Sequence, residues 1–222
     1  MPQSTFTPRR TLLSFLSASV LGLPVWAQAQ PAATWPSKPL RIVVGFPAGS
    51  SPDLTARALA EPLEKALGQP VIVDNRTGAG GNIGADAVAK ATDGHTIGLM
   101  INGNLTIARL LNPTVRYDPL KDLAPVSLVG VAPLVLVAPT GAPGADARAF
   151  VAAARKAGSQ WSYGSPGVGT VGHLGMELLK SRAGIAPVHV PYPGYPQVFN
   201  ALVGGDLQLS MLPPALANQQ IK

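Results

Sequence analysis

An α/β fold with a mainly parallel sheet is predicted by three observations. Short apolar runs suited to buried strands alternate with stretches whose apolar residues recur at helical spacing. The alternation runs strand, helix, strand through most of the chain, the order that yields parallel sheets. The 24 glycines and 23 prolines fall between the periodic segments, where they mark short connections and not a disordered tract.

The first 29 residues stand apart from the fold. Arg9 and Arg10 supply a basic start, and Leu12 to Val25 an apolar run broken by Gly22 and Pro24. Ala27-Gln-Ala29 supplies small residues at a cleavage position. That is the pattern of a secretory signal peptide, with cleavage expected after Ala29. The run falls short of the ~20 apolar residues of a membrane span. The arginine pair also fits a twin-arginine signal, so Sec and Tat export both stay open.

Cleavage would remove two arginines and no acid, taking the net charge from +6 to +4. So mild an excess, with no Lys/Arg stripe, points away from nucleic acid and is compatible with a small acidic ligand. The absence of cysteine excludes disulfides, thiolate metal sites and a cysteine nucleophile. An exported, cysteine-free chain suits a bacterial periplasm.

Along the chain, residues 30–36 read as a linker, 37–125 as a first α/β lobe and 126–222 as a second. In the first lobe, strands are expected at Leu40 to Phe46, Val71 to Asp74 and Thr96 to Ile101. Helices are expected at Leu54 to Leu67, with Gly68 as C-cap, and at Ile83 to Thr92. Leu123 to Pro139 reads as a strand, a bend at Gly130 and Pro133, and a second strand, Leu134 to Ala138. The second lobe continues with helices at Asp146 to Ala157, Thr170 to Ser181 and Gln197 to Val203. Its remaining strands are Trp161 to Gly164, Val188 to Tyr192 and Leu207 to Leu212.

Three loops share one design, in which a strand ends, small residues turn and a helix begins. They are Pro47 to Asp53, Thr77 to Asn82 and Ser165 to Thr170. Helix N-termini carry unpaired N–H groups and partial positive charge, and glycine lets such groups approach a ligand. In open α/β sheets, ligands settle beyond the carboxyl ends of the strands. The first loop is therefore expected to help hold the carboxylate of a small molecule.

Other chemistries fit less well. Gly167-Val-Gly-Thr-Val-Gly172 matches the dinucleotide fingerprint, but His189-Val-Pro-Tyr192 stands where an acid should meet the ribose. Neither glycine cluster carries the Lys-Ser/Thr of a phosphate loop. Ser165 lacks a G-x-S-x-G frame, because Tyr163 occupies the first glycine position. His95, His173 and His189 have no metal-ligand spacing, so no metal and no cofactor are expected. His173, just after the third loop, could donate to a ligand, whereas His95 and His189 at strand starts read as structural. Asp53 reads equally as a helix cap and as a ligand contact. Tyr163, Tyr192 and Tyr195 could wall a pocket or cover a sheet edge.

Taken in order, these pieces resemble the periplasmic receptors of tripartite tricarboxylate transporters, the TctC-like or Bug family. The resemblance starts at Trp35-Pro-Ser-Lys-Pro-Leu-Arg-Ile-Val-Val-Gly-Phe-Pro47. It includes Asp53-Leu-Thr-Ala-Arg57, Val73-Asp-Asn-Arg-Thr-Gly-Ala-Gly-Gly-Asn-Ile-Gly84 and Asp93-Gly-His-Thr96. It continues through Tyr163-Gly-Ser-Pro-Gly-Val-Gly-Thr170, His173-Leu174, Glu177-Leu178 and Val190-Pro-Tyr-Pro-Gly194. It implies a monomeric, two-lobed, type II-like periplasmic binding protein that closes on a small carboxylate without catalysis. Family ligands are di- and tricarboxylates, acidic amino acids, nicotinate and aromatic acids, passed on to membrane transporter subunits.

By the same resemblance the first loop contributes Phe46, Pro47, Ala48, Gly49, Ser50 and Asp53. The second contributes Asn75, Gly78, Ala79, Gly80 and Gly81, and Asn102 follows the third strand. The second half adds Ser165, Gly167, Gly169, Thr170, His173 and Tyr192. Three departures from the family pattern bear on ligand identity: Ser50 replaces a second glycine, Pro193 a usual lysine and Gln208 a frequent acid. Family members also run on for about a hundred residues, so an incomplete second lobe without its return segment is expected, with marginal stability or aggregation. The alternative from another class is a periplasmic hydrolase or isomerase using Asp53, Ser165 and His173.

Overall fold

The computed structural model describes residues 34–218, so the signal peptide, residues 30–33 of the linker and the last four residues lie outside it. From Trp35 the chain belongs to one compact unit. Trp35 and Pro36, expected in the linker, are already part of it. Trp35 donates its indole N–H to Gly94 O (2.9 Å), and the Ser37 N–H donates to His95 Nε2 (3.0 Å).

Two sheets organise this unit. The first has the order β2-β1-β3, from β1 (Leu40–Val44), β2 (Val71–Asn75) and β3 (Thr96–Leu99), and every pair is parallel. Central β1 is flanked on both edges, which is why its apolar run is continuous. Ile42, Val43 and Val44 are buried, and Ile42 and Val44 pack with Phe46 and Ala56 of α1 (Ser51–Leu67). Helix α1 starts three residues before its first periodic leucine, because Ser50 is its extended N-cap and Pro52 fits the first turn. It ends as expected at Gly68, in the left-handed conformation, with its N–H on Glu64 O (2.9 Å).

A tight turn at Ala79–Gly81 leads into α2 (Asn82–Ala89), which stops three residues short of the expectation at its C-cap Lys90. Two short helices absent from the sequence reading follow β3: α3 (Asn102–Thr106) and α4 (Ala108–Leu111). They shorten the expected third strand at its end.

The second sheet has the order β4-β7-β5-β6. Its strands are β4 (Val135–Val137), β5 (Ser162–Ser165), β6 (Val188–Pro191) and β7 (Leu209–Leu212). β6, β5 and β7 are parallel, and β4 closes one edge antiparallel to β7. Helix α5 (Ala147–Ala157) is capped by Asp146, whose carboxylate accepts from Ala149 N–H (2.8 Å). Phe150 and Ala154 of α5 pack with Tyr163, Leu209 and Met176 of α6 (Val171–Ala183). Opposite, Tyr195, Val198, Ala201 and Leu202 of α7 (Tyr195–Gly204) pack with Leu207 and Leu212. A short α8 (Pro214–Asn218) follows β7.

One expected strand is not there. Leu123 to Leu134 has no regular structure, and Val126, Leu128 and Val131 are 88%, 79% and 87% exposed. The apolar run met the compositional requirement for a strand, but a strand also needs a hydrogen-bonded neighbour, and none flanks this segment among the described residues. Only its end, at β4, finds a partner in β7.

Backbone contact sets the first sheet against its own second loop. A Cβ added at Gly45 would lie 2.5 Å from Gly81 O and 2.6 Å from Gly81 Cα, and one at Gly84 2.8 Å from Gly45 Cα. Main chain cannot rotate aside as a side chain can. Gly45→Ala is therefore expected to cost about 1–3 kcal/mol, read as a lower urea midpoint at unchanged slope. A midpoint equal to wild type would show that this contact relaxes freely.

Candidate functional site

Because β1, β2 and β3 in the first sheet and β5, β6 and β7 in the second run parallel, their carboxyl ends and the loops beyond them gather on one edge of each sheet. The loop edges of the two sheets meet. A Cβ at Gly80 would lie 2.7 Å from Val168 O, and one at Gly167 3.1 Å from Gly80 Cα. Gly103 of α3 abuts Gly169 O in the same way, and Gly194 abuts the Pro47 ring at 2.7 Å. The second loop thus packs on the third, and the first on the turn before α7.

The first loop is held by one carboxylate. Asp53, 1% exposed, accepts from Gly49 N–H (2.9 Å), Asn75 Nδ2 (2.9 Å) and Arg57 Nε (3.0 Å). Asn75 also donates to Phe46 O (2.9 Å), so the end of β2 fixes the exit of β1. Burial pushes the Asp53 carboxyl up, but the hydrogen bonds from Arg57, Asn75 and Gly49 outweigh it and hold it below the ordinary carboxylate range. Asp53 is thus a charged structural clamp, occupied by donors from the first loop, α1 and β2.

In the second loop, Gly78, Gly80 and Gly81 all have positive φ, and exposed Ala79 shares that conformation at 50°. Asn104, absent from the sequence expectations, organises this loop. Its Nδ2 donates to Gly80 O (2.9 Å) and Asn82 Oδ1 (2.8 Å), and Asn82 Oδ1 also accepts from Tyr117 Oη (2.9 Å). Two acceptors around Nδ2 fix the orientation of the Asn104 amide. Its Oδ1 is buried without a partner, beside Gly81 and the Phe46 ring. Asn102, expected here, stands exposed at the start of α3 and bonds only locally, to Gly103 N–H (2.9 Å).

In the third loop, Thr170 is buried and its Oγ1 donates to Gly167 O (2.7 Å) instead of capping α6. The Gly169 N–H donates to His173 Nδ1 (3.3 Å). Ser165 Oγ is fully buried and bonds to His189 Nε2 (2.7 Å) and to Gly167 O (3.2 Å). His189, read from sequence as a structural strand residue, therefore touches this loop directly. Tyr192 packs into the core beside Val190, with its N–H on Ser165 O (2.8 Å).

Unmet hydrogen-bonding capacity concentrates where the first loop meets α7. The side chains of N-caps Ser50 and Thr170 make no cap bond, and N-cap Gly194 has none to make. First-turn N–H groups of α1, α6 and α7 are left open in consequence. Ser50 Oγ, Ser51 Oγ, Tyr195 Oη and Gln197 Oε1 are buried without partners. Tyr195 Oη would lie 2.6 Å from a Cβ at Gly172, which sets it against the first turn of α6. Burial pushes the Tyr195 phenol far up, so it stays a neutral donor. Arg57 and Arg76, which flank the first two loops, are paired with Asp53 and Asp74. An anion here would thus meet N–H and O–H donors before any free cation. Two surface hollows, of about 240 and 330 Å³, lie elsewhere, beside Arg41 and Asp93 and beside Arg109 and Asp118.

The geometry does not assemble the hydrolase or isomerase alternative. Asp53 accepts from Gly49, Arg57 and Asn75, Ser165 bonds His189, and His173 accepts from Gly169, so no hydrogen bond links the three. The described residues hold no cluster of three His, Cys, Asp or Glu fit for a metal.

Residues 55–221 match the family described as Tripartite tricarboxylate transporter family receptor. A curated relative, a UPF0065 protein from the tcbD-tcbE intergenic region of Pseudomonas sp. (strain P51), is 40% identical over 183 residues. That match covers 82% of this chain and 54% of the relative. Rpa4515 of R. palustris, solved with adipate, superposes with a TM-score of 0.80 at 32% identity, covering 85% of this chain and 65% of that one. MatC (Rpa3494) from Rhodopseudomonas palustris, solved with bound malate, gives 0.76 at 31%, covering 85% and 66%. The chain spans little more than half the length of the curated relatives it matches.

Two outcomes follow from this geometry. Asp53→Ala would remove the buried carboxylate that the Gly49 N–H, the half-buried Asn75 amide and Arg57 share, with an expected cost of about 1–3 kcal/mol in urea unfolding. Unchanged stability would mean that the first loop does not depend on its clamp. Burial, with His173 alongside, holds His189 down to about 4, and burial also lowers His173. The unfolded chain takes up these protons near 6.5, ahead of the folded chain, so protons favour unfolding between those values. The melting temperature should fall as pH drops from 6.5 towards 4, and His189→Gln should flatten that fall.

Proposed function

The chain belongs to the tripartite tricarboxylate transporter receptor family, and from that membership we propose that it captures a small dicarboxylate for membrane transporter subunits. Members of this family are solute-binding receptors, not enzymes. The observation that carries the ligand class is the junction of the first loop with α7. There the buried hydroxyls of Ser50 and Tyr195 lack partners beside helix N-termini without side-chain caps. Carboxylate oxygens accept several hydrogen bonds each, and a dry, donor-lined site strengthens every one of them. The adipate and malate held by two related structures fit this chemistry.

The proposed site draws on all three loops. Backbone of Pro47 to Ser50, of Gly78 to Gly81 and of Gly167 to Gly169 lines it, with Ala48 and Ala79 exposed at its rim. Ser50, Asn104, Tyr195 and Gln197 supply side chains, while Asp53, Asn75, Ser165, Thr170 and His173 hold the loops in shape. We place the boundary between the two lobes at residues 125 and 126, in the stretch without regular structure that separates the strands of the two sheets. We place the protein in the periplasm, as a monomer, on its export signal and its family.

The test is calorimetric titration of the chain with adipate and with malate. Saturable binding of at least one is expected, with the acid recovered unchanged. Ser50→Ala and Tyr195→Phe should each weaken it by about three- to tenfold. A folded protein that gives flat titrations with both acids, or that transforms either one, would sink the proposal.

A further inference from the structure

A second group of chemistry-bearing side chains lies behind the third loop, and the capture of a ligand does not use it directly. The imidazoles of His173 on α6 and His189 on β6 lie 4.4 Å apart between centroids, tilted by 35°. The far side of His189 stacks on the Tyr163 ring at 4.8 Å, only 22° from parallel. Tyr163 Oη donates to Glu177 Oε1 (2.6 Å), and that oxygen also accepts from Lys180 Nζ (2.8 Å). Lys180 lies 5.5 Å from the centre of the same Tyr163 ring. A layered column thus runs from the surface pair Glu177–Lys180, through three rings, to the glycine loop.

At the loop end, each imidazole makes one contact. His173 Nδ1 accepts the Gly169 N–H at 3.3 Å, and His189 Nε2 bonds Ser165 Oγ at 2.7 Å. Ser165 opens the loop and Gly169 is the last glycine before Thr170, so the two rings grip it at both ends. Gly167 and Gly169 have φ of 116° and 84°, which leaves the loop little intrinsic preference for one shape. An external hold on its two ends has the more effect for that reason.

We propose that His173 and His189 are positioning residues for ligand capture: the paired rings fix the shape in which Ser165 to Gly169 meets the second loop. This rests on the site proposed above. A protonated Nδ1 cannot accept the Gly169 N–H, and two imidazolium rings at this spacing repel. Acid should therefore release the loop and weaken the ligand. Glu177 and Lys180 on α6 and Tyr163 on β5 are the other titratable groups that bear on the pair. Of these, the Glu177 charge favours protonation of the pair and Lys180 opposes it.

The experiment is amide hydrogen exchange by NMR on the full chain between pH 7 and 4, with adipate and malate titrations at both ends of the range. In wild type, the protection of Gly169 should drop as His173 protonates. His173→Asn places an acceptor oxygen where Nδ1 stood but cannot titrate, so protection should persist and the acid step should vanish. His173→Leu should lose the protection at every pH, and His189→Gln should retain it. For whichever acid binds, the ratio of dissociation constants at pH 4.5 and 7 should fall by about three- to tenfold from wild type to His173→Asn. That comparison cancels the titration of the acid itself. The proposal is overturned if His173→Asn follows the wild-type exchange profile, or if His173→Leu leaves Gly169 as protected as before. Should neither acid bind, the exchange profiles still decide the positioning role, and only the ligand assignment falls.

Discussion

Close approach of main chain to main chain is the constraint on which the rest of this structure depends. At Gly45, Gly80, Gly103 and Gly167, a single added carbon would run into the backbone of another loop. The two sheets meet through the last three of these points, and so do the loops that carry the candidate site. No side-chain packing could bring N–H groups from several loops so near one another, because every Cβ would hold them about a carbon's width apart. The glycine content of the sequence thus reflects a geometric need as much as a need for turns.

In the proposed site, where backbone would do the binding, side chains are left to hold it in shape. Asp53 does so with charge, drawing donors from β2, the first loop and α1 onto one carboxylate. Asn104 does so with a neutral amide that satisfies two acceptors, and Thr170 with a hydroxyl turned back on its own loop. The paired rings of His173 and His189 do likewise. These devices leave first-turn N–H groups of α1, α6 and α7 unused, because the helix starts there have no side-chain caps. Stability and binding capacity are therefore separable here, with the exception of Ser50, whose buried hydroxyl serves neither partner nor cap.

The sequence revealed most of the fold because strand and helix periods are local signals. β1, α1, α5, α6 and β7 all lie within a few residues of where apolar spacing and glycine or proline punctuation put them. The failures are non-local. Leu123 to Leu134 had the composition of a strand, but pairing depends on what lies alongside. Helices α3 and α4 are too short for a period to register. In the site, the three loops were legible from their glycines, yet Asn104, His189, Tyr195 and Gln197 were either weighed differently or passed over. Their importance comes from which hydrogen bonds they make or leave unmade in space, and no spacing along the chain encodes that. Asn102 illustrates the point: its side chain bonds only to the next residue, while Asn104, two residues on, ties the second loop together.

The contact between the second and third loops also bears on time. Gly80 lies against Val168 and Gly103 against Gly169, and the hydroxyls of Ser50 and Tyr195 are buried. In the site proposed above, a solute would reach them only after the loops part, so its arrival would follow a unimolecular opening and not encounter alone. Departure meets the same gate. Residence time is then governed by how firmly glycine backbones clasp each other, and a substitution far from the solute could change how long it stays without changing what it touches.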